Sequence, residues 1–146
     1  MEMLTKRLKL IPCSEELVRN DEVTGEHISH YLQSVSIDPS MEGWGVWLVY
    51  LQPEGRFIGD IGFKGKPHKG VVEVGYGIRK EAQNHGYATE AVDALINWAF
   101  QTGLVKKVKA ECLKDNEASI KVLKKVMMNI TDEDEQMMYW ERKLEK

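Results

Sequence analysis

The sequence predicts an α+β fold built on a mixed, mostly antiparallel sheet. Three observations point there. Residues 44–79 hold three β-type runs with short connections, the pattern of an antiparallel meander. Over 88–102 the apolar period lengthens, with Val92, Leu95, Ile96 and Ala99 at the spacing of an amphipathic helix. Alternation returns over 105–113, and a helix of this length suits a crossover between parallel strands.

Each element carries its own signal. Residues 5–12 alternate loosely as a first strand, and Ser14 is placed to cap a short helix over 15–20. Ile28, Tyr31, Leu32 and Val35 mark a second helix over 26–35, which Asp38-Pro39 interrupts. Trp, Val, Leu and Tyr in 44–52 suit a strand, followed by a tight turn at Pro53-Glu54-Gly55. In 56–64, Phe57, Gly59, Ile61 and Phe63 share a face; in 71–79, Val72, Val74, Tyr76 and Ile78 do. Gly103 is a natural stop for the long helix. In 105–113, Val108, Ala110 and Cys112 face one way, Lys107, Lys109 and Glu111 the other. Residues 116–126 read as a helix, 132–135 as a solvated turn and 137–144 as a closing strand. The sheet should hold about six or seven strands flanked by helices.

Composition bounds the function. A chain of 146 residues suggests one domain over 1–146. With 42% apolar and 29% charged residues it reads as a soluble globular protein. A net charge of −3, with both signs interspersed, argues against a nucleic-acid partner. Cys13 and Cys112 stand alone, so neither a metal site nor a disulfide framework is indicated, and a reducing cytoplasm is the expected compartment. Charges break up the first ten residues as a signal peptide would not allow, and no apolar run nears the ~20 residues of a membrane span.

The informative segment is Gln83-Asn84-His85-Gly86-Tyr87-Ala88-Thr89-Glu90-Ala91, between a strand and a helix. Gly86 and Ala88 let a ligand approach the backbone. The free N–H groups of a helix start, with the macrodipole, favour an anion such as pyrophosphate. An ordinary glycine-containing loop before a helix is the alternative. Gly75-Tyr76-Gly77 lacks the third glycine of a dinucleotide fingerprint and lies within a strand.

Gln83-x-x-Gly86-x-Ala88 resembles the pyrophosphate signature of the GNAT-type N-acetyltransferases, Gln/Arg-x-x-Gly-x-Gly/Ala. Gly75-Tyr76-Gly77-Ile78, Trp98-Ala99-Phe100 and Asn116-Glu117-Ala118-Ser119 are similar to elements of its RimJ/RimL-type branch. The resemblance is dense over 57–125. It implies a GNAT-type sheet whose parallel pair splays to admit acetyl-CoA, the co-substrate, with no metal. Gly77 and Ile78 would line the gap, and Asn84, His85, Gly86, Tyr87, Ala88 and Thr89 would present N–H groups to the pyrophosphate. Gln83 would position that loop, and Asn116 would reach the pantetheine arm. Arg79 and Lys80 read better as a solvated basic turn than as phosphate ligands.

The resemblance also implies the reaction: direct attack of an amine on the thioester in a ternary complex. The acceptor would be a protein N-terminus or a small-molecule amine. Glu73 is the expected general base, against the alternative of a solvent-facing strand glutamate. Ser119 is expected beside the leaving sulfur, because Leu123 stands where many family members carry a tyrosine. Asp60 belongs either to the acceptor site or to the wet face of its strand. His85 reads as a surface residue rather than a base. Trp44, Trp47, Tyr31 and Tyr50 either wall the acceptor pocket or fill the core. Met127 replaces a glycine that the family uses for a left-handed turn, so the last hairpin must absorb strain or reroute. A homodimer is compatible with Met137, Met138 and Trp140 on the last strand. The competing reading is an inactive acyl-CoA-binding sensor on the same fold.

Overall fold

The structure, a computed structural model, describes residues 1–145. In chain order the elements are β1 (Met3–Leu4), β2 (Leu8–Pro12), α1 (Glu15–Asn20), α2 (Glu26–Ile37), β3 (Val46–Leu51) and β4 (Arg56–Phe63). Then come β5 (Val71–Ile78), α3 (Tyr87–Gln101), β6 (Lys107–Leu113), α4 (Glu117–Lys125), β7 (Asn129–Glu133) and β8 (Met137–Lys143). The strands form one sheet of eight in the order β1-β2-β3-β4-β5-β6-β8-β7. β5 and β6 run parallel, and every other neighbouring pair is antiparallel.

Both faces of the sheet are covered. Ala91, Val92, Leu95, Ile96 and Ala99 of α3 and Leu123 of α4 pack on Leu8, Leu10, Trp47, Val49, Val72, Val74 and Val108. Ile28 and Tyr31 of α2 pack with Val46, Leu48 and Tyr50 on the other side. β3 lies between the two clusters, so all six of its residues are buried. This accounts for its continuous apolar run, which period-2 alternation would not produce.

The sheet has two strands more than six. β1 is only two residues long. β7 is exposed at every position, so it lacks the apolar alternation that marks a half-buried strand. The turn expected over 132–135 is corrected accordingly. Asp132 and Glu133 pair with β8, and the reversal falls at 134–136. There Asp134 accepts backbone N–H bonds from Gln136 and Met137 and the Tyr139 hydroxyl, which together hold its carboxyl below the usual range.

Met127 absorbs the strain rather than rerouting the chain. It adopts φ 67° just after α4, while its N–H donates to Lys124 O and the Met128 N–H donates to Leu123 O. These two bonds are those of a Schellman motif, which favours glycine at the left-handed position. The last hairpin therefore forms, with β7 and β8 paired from Asn129↔Glu141 to Glu133↔Met138 and a one-residue register shift between Ile130 and Asp132. The Met127 side chain is 70% exposed and contributes little packing. Met127→Gly should stabilise the protein by ~1 kcal/mol, the usual cost of a left-handed non-glycine residue. A rise of about 4 °C in melting temperature checks it.

Candidate active site

The parallel pair is short. β5 and β6 are in register only at Val71↔Lys107, Val72↔Val108 and Glu73↔Lys109, although both strands continue beyond. β5 stays paired with β4 as far as Gly59↔Ile78, and β6 with β8 as far as Leu113↔Met137. The strands therefore part like a V after Glu73. On β5, Glu73 O accepts from Lys64 N–H and the Arg79 N–H donates to Ile58 O, so the odd positions face β4. By alternation Tyr76 and Ile78 turn their backbone groups into the gap. Ile78 O is taken by Gln83 Nε2 at 2.9 Å, a bond that folds the following loop back on the strand end.

A cavity of about 480 Å³ lies at the wide end of the V, between the last residues of β5, the β5–α3 segment and α4. Its lining includes Gly77, Ile78, Gln83, Asn84, Gly86, Tyr87, Ala88 and Thr89 from the β5–α3 segment, and Asn116 and Ser119 from α4. Of the cofactor residues expected from the sequence, only His85 is outside the lining. Asn84 (φ 66°) and Gly86 (φ 81°) are both left-handed, and Gly86 is the N-cap of α3, with no side chain on its first N–H groups. The loop thus meets the cleft as bare backbone at the positive end of a helix dipole. Asn116 Oδ1 caps α4 by accepting the Ser119 N–H at 3.1 Å, which leaves its amide NH₂ for a ligand.

The cleft also holds groups the sequence reading missed. Lys121 and Lys125 of α4 line it, one helical turn apart. They continue a stripe through Ala118 and Val122 that the spacing i, i+3, i+4, i+7 could have revealed. Arg7 was missed because it lies far away in sequence. Its Nε donates to Glu90 Oε1 at 2.7 Å and its Nη1 to His85 O at 2.7 Å, and its guanidinium lies 4.6 Å from the Tyr87 ring centroid. Glu90 Oε2 also accepts from the Arg7 N–H and the Thr5 hydroxyl. The β5–α3 loop is thereby tied to the start of β2. Arg79, by contrast, stacks over Phe57 at 4.7 Å and is outside the cleft lining.

A second cavity, about 620 Å³, opens on the α2 side of the sheet. Tyr76 and Gly77 line both cavities, so the splayed strand is their common wall. Gly75 and Gly77 lie on this face, and a Cβ at Gly77 would meet open space, so their missing side chains keep the floor clear. Asp60 and Tyr31 line this cavity, with His27 Nε2 at 3.0 Å from Asp60 Oδ1. Trp44, Trp47 and Tyr50 are core residues instead. Glu73 is outside both linings, with its carboxylate held by Lys64 Nζ at 2.5 Å. That contact raises the Lys64 pKa. Burial raises the Tyr76 pKa; its hydroxyl approaches Ser119 without completing a well-formed hydrogen bond.

A V-shaped strand gap leading to a bare helix start defines a receptor for an extended, anion-tailed ligand. Comparison with known proteins makes the class specific. The acetyltransferase (GNAT) domain model matches residues 10–129. The N-acetyltransferase YjdG of Bacillus subtilis is 28% identical over 116 residues, covering 79% of this chain and 69% of that protein. YnaD of the same organism is 32% identical over 80 residues, 55% of this chain and 47% of its own length. The fold of RimL, a ribosomal L7/L12 α-N-protein acetyltransferase solved with coenzyme A, superposes with a TM-score of 0.82 at 16% identity, covering 99% and 98% of the two chains. Ribosomal-protein-S5-alanine acetyltransferase from Vibrio fischeri gives 0.81 at 14% identity, covering 98% and 96%. The chain belongs to the GNAT acetyltransferase family, and is accordingly an acyltransferase that draws on acetyl-CoA. Among the described residues no helix is long and apolar enough to cross a membrane.

The Glu90 junction sets a pH dependence. Burial raises its pKa, but the bonds from Thr5 and Arg7 outweigh burial and bring it below the ordinary value. A lowered carboxyl pKa stabilises the fold fully above the unfolded value, near 4.3, and the contribution fades as pH falls through the folded value. Glu90→Gln should flatten that part of the melting-temperature profile. It should also weaken acetyl-CoA binding about tenfold by loosening the loop, as calorimetry would read; unchanged affinity would remove Glu90 from the cofactor machinery.

Proposed function

We propose that this chain transfers the acetyl group of acetyl-CoA to a primary amine by direct attack in a ternary complex. The observation that carries the reading is the V between β5 and β6, bounded at its far end by the β5–α3 loop, with Tyr76 and Gly77 forming the wall it shares with the cavity on the α2 side. The residues present fit the cofactor. Backbone N–H groups of 84–89 receive pyrophosphate, Lys121 and Lys125 add positive charge, and the Tyr76 backbone offers a strand edge to pantetheine.

Acetyl-CoA supplies a thioester carbon open to attack, with the CoA thiol as leaving group. The chain supplies proton handling. An amine of pKa ~8 to ~10.4 enters mostly protonated at pH 7, so one proton must leave before attack. Glu73, at the apex of the V but outside both cavity linings and bound to Lys64, takes it through a chain of water molecules. The Tyr76 N–H, aimed into the gap, bonds the carbonyl oxygen as negative charge gathers there. Ser119, in the first turn of α4, gives its hydroxyl proton to the departing sulfur and regains one from the amine through water.

Leu123 favours one competing reading. It is 1% exposed, inside the core, and offers no proton where the family often has a tyrosine. An acyl-CoA sensor would bind the cofactor without amine-dependent thiol release.

Calorimetry with acetyl-CoA should show micromolar binding, abolished in Gly86→Glu, which puts a carboxylate at the pyrophosphate position. Absence of binding by the native chain would sink the proposal. Ser119→Ala and Glu73→Gln should each lower kcat roughly 10²-fold or more with acetyl-CoA affinity unchanged. Full activity in either variant removes that residue from the mechanism.

A further inference from the structure

The acceptor cavity carries a statement about the amine itself, resting on the acetyltransferase reading above. Asp60 pairs with Gly77 across β4 and β5, so its side chain stands on the acceptor face above a position with no side chain of its own. Two residues paired across an antiparallel sheet hold their Cβ positions about 5 Å apart. The Asp60 carboxylate therefore overhangs the stretch of β5 that separates the acceptor cavity from the cofactor cleft. His27 engages Oδ1 at 3.0 Å, which fixes the carboxylate and leaves Oδ2 for a ligand.

Asp60 is the one carboxylate in the lining of this cavity among the described residues. The remaining titratable lining groups are basic or phenolic: His27, His30, Lys64, Tyr31 and Tyr76. Between them the lining is mostly apolar, with Tyr31, Met41 and Val46 contributing walls. Its volume of about 620 Å³ suits a small molecule. One anionic point beside the reactive strand can hold one ammonium. Away from Asp60 the lining offers a second ammonium no further carboxylate: it holds His30 and Lys64, the latter already paired with Glu73.

We infer that the acceptor is a small primary monoamine with an apolar body, its ammonium held by Asp60 and its body packed beside Tyr31, Met41 and Val46. Asp60 is then a specificity-determining residue, and a polyamine is disfavoured because the described lining holds no second carboxylate for its other ammonium groups.

The test follows thiol release from acetyl-CoA with 2-phenylethylamine, hexylamine, spermidine and a short peptide with a free N-terminus. The two monoamines should exceed spermidine and the peptide at least tenfold in kcat/KM. Asp60→Asn, nearly isosteric, should raise the monoamine KM about tenfold, the worth of ~1.4 kcal/mol, with acetyl-CoA affinity unchanged. That unchanged affinity also reports an intact fold. Preference for spermidine or the peptide, or a KM unmoved by Asp60→Asn, overturns the inference. So does intact acetyl-CoA binding with no turnover of either monoamine. Failure to bind acetyl-CoA would instead overturn the acetyltransferase reading beneath it.

Discussion

Everything at this site depends on a ladder that stops. Two parallel strands, β5 and β6, pair for three residues and then separate, although each keeps its other neighbour. Exposed strand edges invite a partner, because unpaired N–H and C=O groups inside a protein are costly. Here the invitation is directed into a cleft rather than to solvent at the sheet margin. An extended chain with amide groups is the kind of partner that completes such a ladder, and the gap opens toward the start of α3. The crossover geometry of a parallel pair puts that helix start at the carboxyl end of β5, so the gap and the anion site come as a unit.

Holding the V open requires support from both flanks. On one side β5 is anchored by five registered positions on β4. On the other β6 is paired along its whole length with β8, which β7 backs in turn. The β7–β8 hairpin thus gives β6 a full set of partners on the edge away from β5. The left-handed Met127 is what lets the chain leave α4 and enter β7 on time, and the Schellman bonds show how the backbone accommodates a residue with a side chain there. The loop at the mouth of the V has its own brace in Arg7 and Glu90, which link β2 to α3 across some eighty residues of chain. A loop held this way offers its N–H groups without paying to order them at binding.

The two faces of β5 divide the chemistry. Its even residues, Val72, Val74, Tyr76 and Ile78, pack toward α3 and α4. Its odd residues, Glu73, Gly75 and Gly77, face the acceptor cavity or its rim. One strand thus presents backbone to the gap, side chains to the core and an open floor to the cavity on the α2 side. The two glycines matter on this face because any side chain would occupy acceptor space.

The sequence by itself determined most of the element order, the parallel crossover and the loop that joins β5 to α3. These rest on local signals: period 2, period 3.6, and a short string at a strand–helix junction. Ten of the residues it offered for the cofactor share one cavity lining because they lie on two short segments, 77–89 and 116–119. It did not carry β7, which has no buried face, nor Arg7, whose role exists only through contacts with His85 and Glu90 far along the chain. Asp60 was legible only as an acid in an apolar strand. Its place above Gly77 depends on the β4–β5 register, and its partner His27 arrives from a helix on the opposite side of a loop. Tertiary structure alone decided that Glu73 is paired with Lys64 while Asp60 lines the cavity, because which of two strand carboxylates meets a pocket is settled by register and by what packs on that face.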